Sequence, residues 1–125
     1  MKRIISTQKA PAAIGPYSQA IEINGVLYTS GQIAIDPITG KIKGNTVAEQ
    51  SEQVLNNIKS ILSEAGYGLE HVVKTTVFLT DLSFFGEMNE VYGRIFGDHK
   101  PARSAVEVSA LPKGALIEIE TVSMK

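Results

Sequence analysis

Cysteine and tryptophan are both absent from this chain of 125 residues. The missing thiols exclude disulfides, a thiolate nucleophile and thiolate metal ligands. Histidine is almost missing as well: His71 and His99 stand far apart, outside the i, i+4 spacing that turns two imidazoles toward one metal ion. Each reads as a solvent-facing or locally hydrogen-bonded side chain, and no metal centre is expected. No apolar run approaches the ~20 residues that span a bilayer. The start, MKRIISTQK, holds two adjacent isoleucines before polar residues return, which is too short for a signal-peptide core. A soluble, cytoplasmic protein with no membrane partner is the expectation. Neither sign of charge dominates: 12 Lys and Arg face 13 Asp and Glu, for a net charge of -1, and the basic residues are scattered. Nucleic acid is therefore not an expected partner, because phosphate binding needs a basic stripe or patch.

What remains is an ordinary globular composition, 43% hydrophobic and 20% charged. That argues against disorder, repeats and low complexity. The length suits one hydrophobic core, so residues 1–125 are read as a single domain.

The firmest local signal is Ile21 to Thr29, where Asn24-Gly25 separates two β-rich runs and suits the positive φ angles of a type I′ hairpin. Arg3 to Ser6 reads as a short strand. Ala10 to Tyr17, with two prolines and a glycine, reads as an irregular loop long enough to reach a neighbour. Asp36 to Gly40 is a second turn. From Thr46 the apolar period becomes helical: Val47, Val54, Leu55, Ile58, Ile61, Leu62 and Ala65 share a face, Thr46 and Glu49 match a capping box, and Gly66 supplies the stop. Val72 to Leu79, apolar on both faces, reads as a central strand covered on both sides. A second helix runs from Phe84 or Phe85 to Phe96, with Asp81 or Ser83 as its cap. Strands at 102–108 and 115–124 close the chain and read as an antiparallel pair.

The order predicts an α+β fold in which two helices pack on one face of a mixed β-sheet. Alternation puts Arg103, Ala105 and Glu107 on one side of their strand, and Glu118 and Glu120 opposite Ile117 and Ile119 on theirs. If Ser104, Val106, Ile117 and Ile119 meet the helices, the uncovered face carries Arg103 and Glu118 together. In that register Arg103 lies directly or diagonally opposite Glu118, within side-chain reach. A cross-strand ion pair is one reading of this juxtaposition; a site is the other. A half-apolar uncovered face is a surface that a second subunit commonly buries.

Five blocks carry a family resemblance: APAAIGPYSQ (10–19), TSGQI (29–33), VKTTVF (73–78), MNEVY (88–92), and PARSAVEVSAL with LIEIE (101–120). In their order and spacing the chain resembles the reactive intermediate deaminase (Rid, YjgF-type) family, RidA-like branch, over its whole length. The resemblance implies a chorismate-mutase-like trimer fold with sites between subunits. It also implies hydrolysis of 2-imino acids such as 2-iminobutanoate and 2-iminopropanoate, and of their enamine tautomers, to 2-oxo acids and ammonia, without a cofactor. Such a protein protects pyridoxal-phosphate enzymes. Matched residue by residue, Arg103 would anchor the substrate carboxylate and Glu118 would handle water. Tyr17 would close the cleft from an adjoining subunit, Ser30 and Asn89 would add polar contacts, and the Gly31 backbone would lie against the ligand. Ala105 departs from the cysteine common in that branch, which leaves pocket width and substrate preference open.

Chemistry agrees with those assignments. A guanidinium holds a carboxylate bidentately and stays charged, while one carboxylate can take a proton from attacking water and return it to departing nitrogen. Glu120 remains a rival for Glu118, since both lie on one side of a strand. Two other functions are weighed beside imine hydrolysis: a non-catalytic regulator that binds small carboxylates, and RNA cleavage or translation inhibition, which the scattered charge disfavours.

Overall fold

Local chemistry accounts for most element boundaries in the computed structural model, which describes residues 1–125. Lys2–Ile5 (β1), Ala20–Ile23 (β2) and Val26–Thr29 (β3) form an antiparallel meander. Between β2 and β3, Asn24 at φ 51° and Gly25 at φ 78° supply the two positive angles of the expected hairpin. Helix α1, Val47–Ala65, starts on the expected reciprocal cap: Glu49 N donates to Thr46 Oγ1 (3.1 Å) and Thr46 N to Glu49 Oε1 (3.2 Å). It ends at Gly66, left-handed at φ 83°.

Val72–Leu79 (β4), Phe85–Phe96 (α2), Ala102–Glu107 (β5) and Ile117–Met124 (β6) complete the chain. Neither cap candidate caps α2 itself, whose N-cap is Phe84 with no side-chain hydrogen bond; Asp81 instead caps the 3₁₀ turn Leu82–Phe84 ahead of it, its carboxylate accepting from Ser83 N at 2.8 Å. No helix is long and apolar enough to cross a membrane.

The strands form one six-stranded sheet in the order β1-β2-β3-β6-β4-β5. It is mixed, because β4 and β5 run parallel through the α2 crossover while every other pairing is antiparallel. Both helices cover the same face. Their apolar stripes, with Leu55, Ile58, Ile61 and Leu62 from α1 and Met88 from α2, close over Leu27, Val77, Leu79, Ile117 and Ile119 in a single core.

Three expectations change here. First, β5 and β6 are not neighbours: β4 lies between them and pairs with both. A short link between two β runs suggests a hairpin, but the crossover from β4 deposits β5 at the sheet edge, and β6 takes the inner slot between β3 and β4. Second, β4 is covered on one side only. Thr75, Val77 and Leu79 are buried, whereas Lys74, Thr76 and Phe78 face away from the helices under no second layer. Third, β5 has the opposite phase from the one expected. Arg103 pairs with Thr75 and Ala105 with Val77, so Arg103 and Ala105 stand on the helix face, and Ser104 and Val106 stand on the open one.

The open face carries a broad apolar surface. Ile4, Ile23, Tyr28, Val106 and Met124 all stand exposed on it, Ile4 at 63%. Patches of this extent on a sheet face mark an interaction surface.

Candidate active site

Arg103 leaves β5 at the rim of the helix layer. Its guanidinium carbon lies 4.8 Å from the Tyr92 ring centroid and 5.2 Å from that of Phe85, and Nη1 donates to Asn89 Oδ1 at 2.7 Å. The stem therefore packs on α2 while the charged head stays at the surface, as a long basic side chain does at an apolar rim. Below it, Thr75 and Tyr92 share a buried hydroxyl pair at 2.7 Å. The two aromatic faces and the Asn89 oxygen fix the direction of the fork, and none of them supplies a neutralising carboxylate. A cleft of about 410 Å³ opens here, and Asn89, Tyr92, His99, Lys100 and Arg103 line it. His71 accepts from Gly68 N at 2.9 Å, a local bond, whereas His99 is tied across the fold to the Val72 carbonyl at 2.6 Å.

Glu118 lies elsewhere. On β6 it pairs with Phe78 of β4, points to the open face, and lines a second cleft of about 570 Å³ with Tyr17, Ser30, Gly31 and an apolar wall that includes Ile14, Ile33 and Ile35. Glu120, its rival, also points to the open face but is exposed, pairs with Thr76, and does not line the cleft. Burial pushes the Glu118 carboxyl above the usual carboxylate range, and the nearby Glu120 charge adds to the rise. A carboxyl so tuned can hold and release a proton closer to neutrality than a solvated one.

Gly31 explains how the cleft admits that carboxyl. After β3 the chain bulges through Ser30 and Gly31 and rejoins the sheet where Gln32 and Ile119 exchange backbone hydrogen bonds of 2.8 and 3.1 Å. A Cβ built on Gly31 would overlap a Glu118 carboxylate oxygen and come within 2.9 Å of its Cδ. Glycine at this position leaves the space in which the Glu118 carboxyl lies. Gly31→Ala is expected to swing the Glu118 carboxyl out toward solvent; a crystal structure of the variant would show the new rotamer, and the carboxyl's titration by NMR would fall toward the ordinary range. An unmoved Glu118 would remove that role for the glycine.

The expected site residues thus divide into two groups within one chain. Arg103 and Asn89 meet at the helix rim, while Tyr17, Ser30, Gly31 and Glu118 meet at the other cleft. The expected cross-strand approach of Arg103 to Glu118 is corrected: they stand on opposite faces of the sheet with β4 between their strands. Ser30 also has a structural task, since its Oγ donates to Ser18 O at 2.6 Å. Sequence reasoning missed the aromatic bed under Arg103, because Phe85 and Tyr92 fall at the spacing of an ordinary buried helix stripe. It also missed the four buried carboxamides Gln19, Gln32, Gln50 and Asn57, since such residues are usually exposed.

A six-stranded mixed sheet with two helices on one face is the L-PSP/Rid architecture. The chain superposes on Escherichia coli TdcF, solved with bound serine, with a TM-score of 0.94 at 43% identity over 98% of each chain. Residues 7–125 match the family described as Endoribonuclease L-PSP, and the chain belongs to that family, which is the YjgF/RidA group. It is similar to a RutC family protein of Pyrococcus horikoshii, 55% identical over 125 residues that cover 100% of this chain and 99% of the relative. It is also similar to the Homo sapiens 2-iminobutanoate/2-iminopropanoate deaminase, 49% identical over 125 residues that cover 100% of this chain and 91% of the relative.

Proposed function

We propose that this protein hydrolyses 2-imino acids, including 2-iminobutanoate and 2-iminopropanoate, to 2-oxo acids and ammonia, in sites that form between neighbouring copies of the chain. The observation that carries this reading is the half-buried Glu118, its carboxyl pushed upward by burial, in a cleft whose one cationic side chain is the exposed Lys113, while Arg103 presents an unneutralised fork at a different edge. The Glu118 cleft lacks a guanidinium, and the Arg103 cleft lacks a carboxylate. Joining the Arg103 rim of one copy to the Glu118 cleft of the next would complete a site, and the apolar open face supplies a surface for that assembly. A homotrimer closed head to tail satisfies this geometry. Deaminase names among curated relatives, and the amino acid bound to TdcF, agree with a small carboxylate ligand.

Arg103 would take the substrate carboxylate through two parallel hydrogen bonds. Water adds to the C=N carbon of the iminium as Glu118 accepts its proton, which gives a neutral carbinolamine. Glu118 returns the proton to nitrogen, the C–N bond breaks to release ammonia, and the hydroxyl proton passes by way of Glu118 to that ammonia as the carbonyl forms. The sum is iminium plus water giving 2-oxo acid plus ammonium. Imines already hydrolyse in water, so orientation together with the roughly 10²–10⁴-fold typical of general acid-base catalysis suffices. No step calls on a metal or cofactor.

The direct test supplies the imine in place. A pyridoxal-phosphate-dependent threonine or serine dehydratase releases the enamine, and the purified protein is expected to speed ammonia and 2-oxo acid formation and to preserve dehydratase activity. No acceleration over buffer at any protein concentration sinks the proposal.

A further inference from the structure

The loop from Ala12 to Tyr17 lines the Glu118 cleft yet scarcely holds itself in place. Its one internal hydrogen bond is Tyr17 N to Gly15 O at 2.9 Å, and Ile14 and Tyr17 are exposed at 81% and 52%. Both of its ends, however, converge on a single side chain. Gln19 is 3% exposed; its Oε1 accepts from Thr7 N at 2.7 Å, and its Nε2 donates to Pro11 O at 2.7 Å, to Thr7 O at 3.1 Å and, at longer range, to Ala10 O at 3.4 Å. Its backbone oxygen accepts from Ser30 N at 2.9 Å, next to Gly31. The side-chain amide thus ties the segment 7–11 leading into the loop to the position two residues beyond Tyr17, and the Gln19 backbone joins that position to the bulge opposite Glu118. The buried carboxamide is a precise match for its neighbours: one acceptor meets a backbone N–H and two donors meet backbone carbonyls.

We propose that Gln19 is a positioning residue that sets where Tyr17 and the 12–17 loop stand over Glu118. This rests on the reading of the Glu118 cleft as half of an imine-hydrolysing site. A second buried amide repeats the device at the apolar wall: Asn57 of α1 donates to Ile33 O and Ile35 O at 3.3 and 2.9 Å. Of the two, Gln19 alone restrains the loop that carries Tyr17.

Gln19→Met keeps the volume and removes every polar contact. In the assembled protein, backbone amides of residues 12–18 are expected to exchange with deuterium faster than in the parent protein. kcat/KM is expected to fall about tenfold, and the fall should shrink to under about twofold when Tyr17 is already alanine, since residues acting through one another are not additive. A merely structural amide would lower both backgrounds equally. Gln19→Glu provides the second variant. Its carboxylate would face three carbonyl oxygens, whereas its protonated form restores one donated bond to Pro11 O, so loop protection relative to the parent should recover as pH falls. Unchanged exchange, equal losses in both backgrounds, or a pH-independent Gln19→Glu loop would each overturn the role. Absence of imine hydrolysis in the parent protein would instead remove the deaminase reading, and the exchange measurements would still judge Gln19.

Discussion

Mixed subunits of Arg103→Ala and Glu118→Gln are expected to regain activity that neither variant has alone. Arg103→Ala should lose roughly 10²–10³-fold in kcat/KM, the equivalent of about 3–4 kcal/mol of charge-assisted hydrogen bonding to the substrate carboxylate. Glu118→Gln should lose a comparable or larger factor. In one chain these residues stand on opposite faces of the sheet and line different clefts. If sites form between chains, co-refolding the two variants in equal amounts places an intact Arg103 beside an intact Glu118 in about a quarter of all sites, whatever the ring size, because assembly of equivalent interfaces is random. Activity should therefore return to about a quarter of the parent value. Were both residues drawn from one chain into a site, every hybrid site would carry one defect and nothing would return. Unmixed variants that run as the same oligomer as the parent exclude loss of assembly as the cause.

Glu118→Gln also separates catalysis from binding. Removing a carboxylate from beside an anionic ligand leaves 2-oxobutanoate binding intact or tighter, whereas turnover is expected to fall by roughly 10²–10⁴-fold. A regulator that only binds small carboxylates would keep its whole function in this variant. The pH dependence follows from the same residue. In the proposed reaction Glu118 acts on water as the carboxylate, and burial with the Glu120 charge holds its pKa above the ordinary value. Activity should therefore fall with acidification at a pH above the ordinary glutamate range of about 4.3. Glu120→Gln, which removes the repelling charge, should move that limb to lower pH. The stability sign runs the other way from that of a paired acid: a raised pKa means the ionised form counts against folding at neutral pH. Glu118→Gln is thus expected to melt no lower than the parent at pH 7. A lower melting temperature together with retained turnover would refute the assignment.

Much of the fold is legible because it is written in short-range chemistry. Asn24-Gly25 demands positive φ, Thr46 with Glu49 offers two reciprocal hydrogen bonds, and the α1 stripe repeats at the helical period. Each signal spans a few residues, and each element stands where they indicate. The candidate site was legible in another way: matching blocks named Arg103, Glu118, Tyr17, Ser30, Gly31 and Asn89, and four of these six do share a cleft. Alternation left Glu118 and Glu120 equal. The bulge at Ser30 and Gly31, which brings a side-chain-free residue against the Glu118 carboxyl and leaves Glu120 exposed, distinguishes them.

Residue identity thus set the hairpins, the caps, the helical faces and the set of reactive groups, because these depend on neighbours a few positions away. Which strand lies beside which, and on which side of the sheet Arg103 emerges, followed from long-range packing. Period-two alternation says that Arg103 and Ala105 share a side; it is silent on whether that side meets α2 or the open face. The crossover through α2 answered it by placing β5 parallel to β4 with Arg103 level with the buried Thr75. That single phase separates the guanidinium from the carboxyl within one chain, which is why the proposed reaction draws on a second copy.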